Sequence, residues 1–67
     1  MDKELLEYHM KKNGDTQVLL SQAIGLSQAS LSERMNGKTE FRKNEIGAIC
    51  RRYNLGADDV MAIFFAG

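Results

Sequence analysis

The sequence predicts an all-α fold, compact and built from five short helices. Three observations carry that reading: the 67 residues contain no proline, β-branched residues are few, and apolar side chains recur three and four positions apart. No internal repeat, low-complexity stretch or long linker divides residues 1–67, which read as a single domain.

Asp2 is placed to cap a first helix reaching Lys12, with Leu5, Leu6 and Met10 as its apolar stripe and Asn13-Gly14 as its stop. Asp15 or Thr16 caps a second helix running to about Ala23, where Leu20 and Ile24 lie one turn apart and Gly25 breaks the pattern. Ser27 caps a third helix, Gln28 to Met35, with Leu31 and Met35 on one side and Asn36-Gly37 at its end. Lys38 to Lys43 reads as a basic polar loop anchored by Phe41. The fourth helix, Asn44 to Tyr53, has the clearest periodicity: Ile46, Ile49, Cys50 and Tyr53 fall at i, i+3, i+4 and i+7, which predicts Cys50 in the core. Asn54 stops it and Leu55 plugs the core. A fifth helix, Ala57 to Phe64, sets Val60, Ile63 and Phe64 on one face, with Asp58 and Asp59 favourably near its N-terminus.

Composition excludes several classes. A single cysteine forms no internal disulfide, and with one histidine it cannot supply the four ligands of a structural zinc, so neither metal nor cofactor is expected. No apolar run approaches the roughly 20 residues of a membrane span. The start Met1-Asp2-Lys3-Glu4 is unlike a secretory signal, so a cytoplasmic protein is expected. One imidazole (His9), one thiol and no glycine-rich phosphate loop argue against an enzyme, as does the little room for a pocket of about 300 Å³. Binding is the expected activity.

The informative stretch is TQVLLSQAIGLSQASLSERMNG, Thr16 to Gly37. Two helices of about two turns each are joined only by Ile24-Gly25-Leu26-Ser27, which forces a sharp crossing through a glycine able to take positive φ. Leu20, Ile24, Leu26, Leu31 and Met35 then face inward, leaving Gln28, Ala29, Ser32 and Glu33 on the opposite face. None of these four is bulky enough to hold another surface away.

Thr16-Gln17, Leu20-Ser21, Ile24-Gly25-Leu26, Ser27-Gln28, Leu31 and Asn36-Gly37-Lys38 together resemble the helix-turn-helix of the phage Cro/CI repressor family. The five-helix plan extends the resemblance over almost the whole chain, and the tail from Asp58 to Phe65 is similar to that of small Cro-like proteins of Gram-positive phages and prophages. Ser21 stands where the family usually carries Ala, and Arg34 where many members carry an apolar residue.

The resemblance implies a lambda-repressor-like domain with its helix-turn-helix at the second and third helices. It would bind double-stranded operator DNA as a transcriptional repressor, with the third helix in the major groove. Gln28 is then suited to adenine, Ala29 to a thymine methyl, Ser32 to several bases and Glu33 to cytosine. Gln17, Ser27, Ser30, Asn36, Lys38, Thr39, Arg42 and Lys43 are the expected phosphate contacts.

Net charge is zero, yet residues 34–52 hold six basic and two acidic side chains and the remainder three basic and seven acidic. Such a polarised chain can turn its basic side to DNA. Modest affinity per subunit favours a homodimer on two half-sites, and Phe64-Phe65 are the expected subunit contact. The rival expectation is a protein-interaction module, an antirepressor binding another phage repressor, which zero charge, Glu33 and the aromatic tail favour.

Overall fold

Four of the five helices end in the same way, and those endings set the path of the chain. The computed structural model describes residues 1–66, comprising α1 (Lys3–Lys12), α2 (Gln17–Ile24), α3 (Gln28–Met35), α4 (Lys43–Tyr53) and α5 (Ala57–Phe64), with no strand among the described residues. After each of the first four helices one residue takes positive φ: Gly14 (72°), Gly25 (75°), Gly37 (80°) and Asn54 (53°). The next N–H then reaches a carbonyl five residues back: Asp15 to Met10 at 2.8 Å, Leu26 to Ser21 at 2.9 Å, Lys38 to Glu33 at 2.9 Å and Leu55 to Cys50 at 3.0 Å. This is the long bond of a Schellman motif, and it satisfies a helix carbonyl while turning the chain sharply.

Helix starts are equally local. The side chains of Asp2, Thr16 and Ser27 accept from the N–H groups of Leu5 (3.0 Å), Leu19 (3.2 Å) and Ser30 (3.1 Å). Thr16 is therefore the cap of α2, and Asp15 is free for another task. α4 begins at Lys43, one residue before the expected Asn44, because the Arg42 N–H donates to the Glu45 carboxylate at 2.9 Å and holds Arg42 in the cap position.

Leu6 and Met10 of α1, Leu20 of α2, Leu31 and Met35 of α3, Ile49 and Tyr53 of α4, and Ile63 of α5 form one core. Leu5, Ile24, Leu26, Phe41, Leu55 and Phe64 pack around it, half-buried. Cys50 is half-buried and lies on the flank of α4, contrary to the expectation that it belongs to the core, and Ile46 is half-buried too. The buried line of that helix is Glu45, Ile49 and Tyr53. At 100° per residue, a line through those three leaves Ile46 and Cys50 to one side.

The first residues are fastened to the last helix, as Asp2 N–H donates to the Ile63 carbonyl at 2.7 Å. Phe41 anchors the segment between α3 and α4 by packing edge-to-face on Phe64, with centroids 5.4 Å apart and planes at 79°. No helix of the described residues is long and apolar enough to cross a membrane.

Candidate nucleic-acid interface

The outward side of α3 is where the expected base-reading residues meet. Leu31, Arg34 and Met35 are buried, which directs the opposite side of this two-turn helix to solvent. Gln28, Ala29 and Glu33 are exposed there, and Ser32 is half-buried at its edge. The α2–α3 connection holds this face out because Gly25, at φ 75°, lets the chain reverse within a few residues. Ser21 is buried, and its hydroxyl donates to the Val18 carbonyl of its own helix at 2.8 Å, so the small polar side chain needs no partner from another element.

The expected phosphate contacts differ in exposure and in the partners they already hold. Lys38, Thr39, Arg42 and Lys43 are exposed along the α3–α4 segment and the first residue of α4, and Gln17 is half-buried as the first residue of α2. Ser27 and Ser30 are occupied with each other: the Ser27 hydroxyl accepts from the Ser30 N–H and lies 3.0 Å from the Ser30 hydroxyl. Asn36 accepts from Lys3 Nζ at 2.9 Å and donates to Ser32 Oγ at 3.3 Å. Sequence reasoning overlooked Lys3, which reaches this site from 33 positions away in the chain.

Two ion pairs revise the charge pattern. Arg34 is not part of an exposed basic side: it is buried, its Nε donates to Glu45 Oε1 at 2.8 Å, and its Nη1 donates to the Ser30 carbonyl at 3.3 Å. Burial disfavours the Glu45 carboxylate, but hydrogen bonds from the Arg42 N–H and from Arg34 outweigh it and hold its pKa below the usual carboxyl value. Arg52 is likewise engaged, with Nε and Nη2 on the two oxygens of Asp15 at 2.6 and 2.7 Å. The Tyr53 hydroxyl donates to Asp15 Oδ2 at 2.6 Å. The hydrogen bond from Arg52 is the main reason the Asp15 pKa is lowered, while burial, then Asp15, raises that of Tyr53. Lys38, Arg42, Lys43 and Arg51 remain as exposed cations of this region, against Glu40.

Arg42 and Lys43 stand at the start of α4, where the helix dipole disfavours positive charge. Glu45 offsets part of that cost from within the first turn. Local preference is thus only partly met at the start of this helix. Beside the α3–α4 segment Phe64 is half-buried against Phe41, whereas Phe65 is 62% exposed. Phe65 borders a groove of about 280 Å³ shared with Met1, Arg34, Phe41, Ile46 and Phe64. Among the described residues no three His, Cys, Asp or Glu side chains are grouped to hold a metal ion.

Residues 3–67 match the family described as a protein of unknown function, DUF739. The chain belongs to that family. Comparison with curated proteins and with solved structures gives no match. In this DUF739 chain both partners of the Arg34–Glu45 pair stand at helical spacing from a buried apolar residue. Arg34 is three residues after Leu31, and Glu45 four before Ile49. A charge of each sign on an apolar line is the signal that would have revealed the Arg34–Glu45 pair.

Proposed function

We propose that this protein is a sequence-specific, double-stranded DNA-binding transcriptional regulator, a Cro-like repressor that acts in the cytoplasm by occupying operator DNA. It is a binding protein and not an enzyme on this reading. The observation that carries it is the outward side of α3, where Gln28, Ala29 and Glu33 are exposed on a helix held by a tight turn and a buried inner side. A helix presented in this way enters the major groove, and its amide and carboxylate groups meet base edges. Lys38, Arg42 and Lys43 hold the flanking phosphates, and the Glu33 carboxylate selects a cytosine amino group while keeping clear of the backbone.

The repressor works as a dimer. Phe65 and the groove beside it make the subunit contact, with Phe64 supporting it from within. Two α3 helices then lie about one DNA turn apart, near 34 Å, and bound protein excludes polymerase sterically. Selection of tight-binding duplexes from a random pool by the full-length chain tests the reading. The expected product is an inverted repeat with half-sites about 10 base pairs apart, whose binding weakens steeply with salt. Gln28→Ala relaxes preference at one position of each half-site by about 1–3 kcal/mol without loss of fold. A pool that yields no shared sequence would sink the proposal.

A second reading, an antirepressor that binds another repressor, draws on the exposed apolar side chains of Val18 (41%) and Leu19 (45%) on α2. Replacing both with Ser separates the two: DNA selection survives under the first reading, and only capture of a repressor is lost under the second.

A further inference from the structure

We infer that Lys3 holds a DNA phosphate at the C-terminal end of α3, with Asn36 as the residue that positions it; the inference rests on the DNA-binding reading above. Its basis is the chain of contacts running from Lys3 Nζ to Asn36 Oδ1 (2.9 Å) and from Asn36 Nδ2 to Ser32 Oγ (3.3 Å). An ammonium group only donates, so it takes the amide oxygen and leaves the amide nitrogen for Ser32. That directionality fixes the Asn36 side chain, and with it the place of the ammonium beside the exposed face of α3.

Lys3 is also held from behind. It is the first residue of α1, it is half-buried, and the neighbouring Asp2 N–H is bonded to the Ile63 carbonyl. The positive charge lies near the final carbonyls of α3, the end of a helix that favours a cation. One ammonium hydrogen is used by Asn36, which leaves two for phosphate oxygens. Asn36 itself has its oxygen taken by Lys3 and one amide hydrogen taken by Ser32, so it offers a single neutral donor. The phosphate contact expected of Asn36 therefore passes to Lys3. With Arg34 and Arg52 both engaged in ion pairs, this cation supplies charge where the chain has otherwise withdrawn it.

Equilibrium binding of the full chain to a selected duplex and to a scrambled duplex, across a potassium chloride series, tests the assignment. Lys3→Gln should lower the slope of log affinity against log salt by about 0.9 on both duplexes, the release of one phosphate contact. Lys3→Arg should restore the slope. Lys12→Gln, the same change of charge about 14 Å away at the far end of α1, should leave it unchanged. A wild-type slope in Lys3→Gln overturns the inference, as does an equal drop in Lys12→Gln or a failure of Lys3→Arg to restore it. Absence of any preference for the selected duplex in the wild-type chain would instead overturn the DNA-binding reading, and the scrambled duplex would still report on Lys3. Circular dichroism of Lys3→Gln checks that the helices are intact.

Discussion

Arg34–Glu45 and Arg52–Asp15 both tie the α2–α3 unit or its approach to α4, yet they differ in their surroundings. In the first, both side chains are nearly out of solvent, 10% and 5% exposed, with 2.8 Å between Nε and Oε1. In the second, Asp15 is 5% exposed but Arg52 is 37% exposed. A guanidinium that can turn to water loses little when its partner goes, whereas a buried one is left with an uncompensated charge. The same two chemical groups therefore make a rigid requirement at α3 and a tolerant clasp at the start of α2. The contrast teaches that burial, more than contact length, sets the expected energetic weight of an ion pair, so that the shorter contact is expected to be the more dispensable one.

Removing Glu45 gives the largest expected effect. Glu45→Ala strands Arg34 and should cost about 3–5 kcal/mol in urea unfolding, a large share of the roughly 5–15 kcal/mol available to a folded domain. Arg34→Met combined with Glu45→Leu should recover most of that loss, since apolar replacement of a whole buried pair is often neutral. A double variant as unstable as Glu45→Ala would show that the pair does more than cancel its own burial.

Asp15→Ala should cost less, about 1–3 kcal/mol, because only the Tyr53 hydroxyl is left without an acceptor away from water. An equal loss at both sites would break the comparison. Acid titration sharpens it further. Both carboxyls have native pKa values below their ordinary ones, so their contribution is complete above the unfolded-state values near pH 4 and disappears as pH falls through the lowered native values. Asp15→Asn should flatten that acid limb while the remainder, owed to Glu45, persists; a limb unchanged in Asp15→Asn would contradict the assignment.

The smallest expected effect is at the turn. Gly25→Ala meets no atom within 4 Å, but its φ of 75° costs about 1–2 kcal/mol in a residue with a Cβ. A thermal melt of this variant should show that loss with both ion pairs intact.

Much of this architecture is legible in the sequence because it is written in short range. Gly14, Gly25, Gly37 and Asn54 were expected stops and are the four positive-φ turns; Asp2 and Ser27 were expected caps and accept the bonds of caps. The choice between Asp15 and Thr16 was not legible, since it depends on Arg52 and Tyr53 lying 37 and 38 residues away. Cys50 was misplaced for a related reason: periodicity assigns apolar residues to the inward line, and Glu45 holds that line through a partner 11 residues earlier. Around the candidate interface, the exposure of Gln28, Ala29 and Glu33 followed from the periodicity of α3, while the bond from Lys3 to Asn36 joins residues 33 positions apart and has no local signal.

The four stops also bear on how the chain reaches its native state. Each reversal is encoded within a handful of neighbours, so the polypeptide can sketch its own route before distant segments meet, and topologies of that kind collapse to order in microseconds to milliseconds. Lacking proline, the chain has no slow isomerising bond to wait for. Stopped-flow refolding should be a single rapid exponential, fast enough for newly made copies to be ready as soon as synthesis releases them.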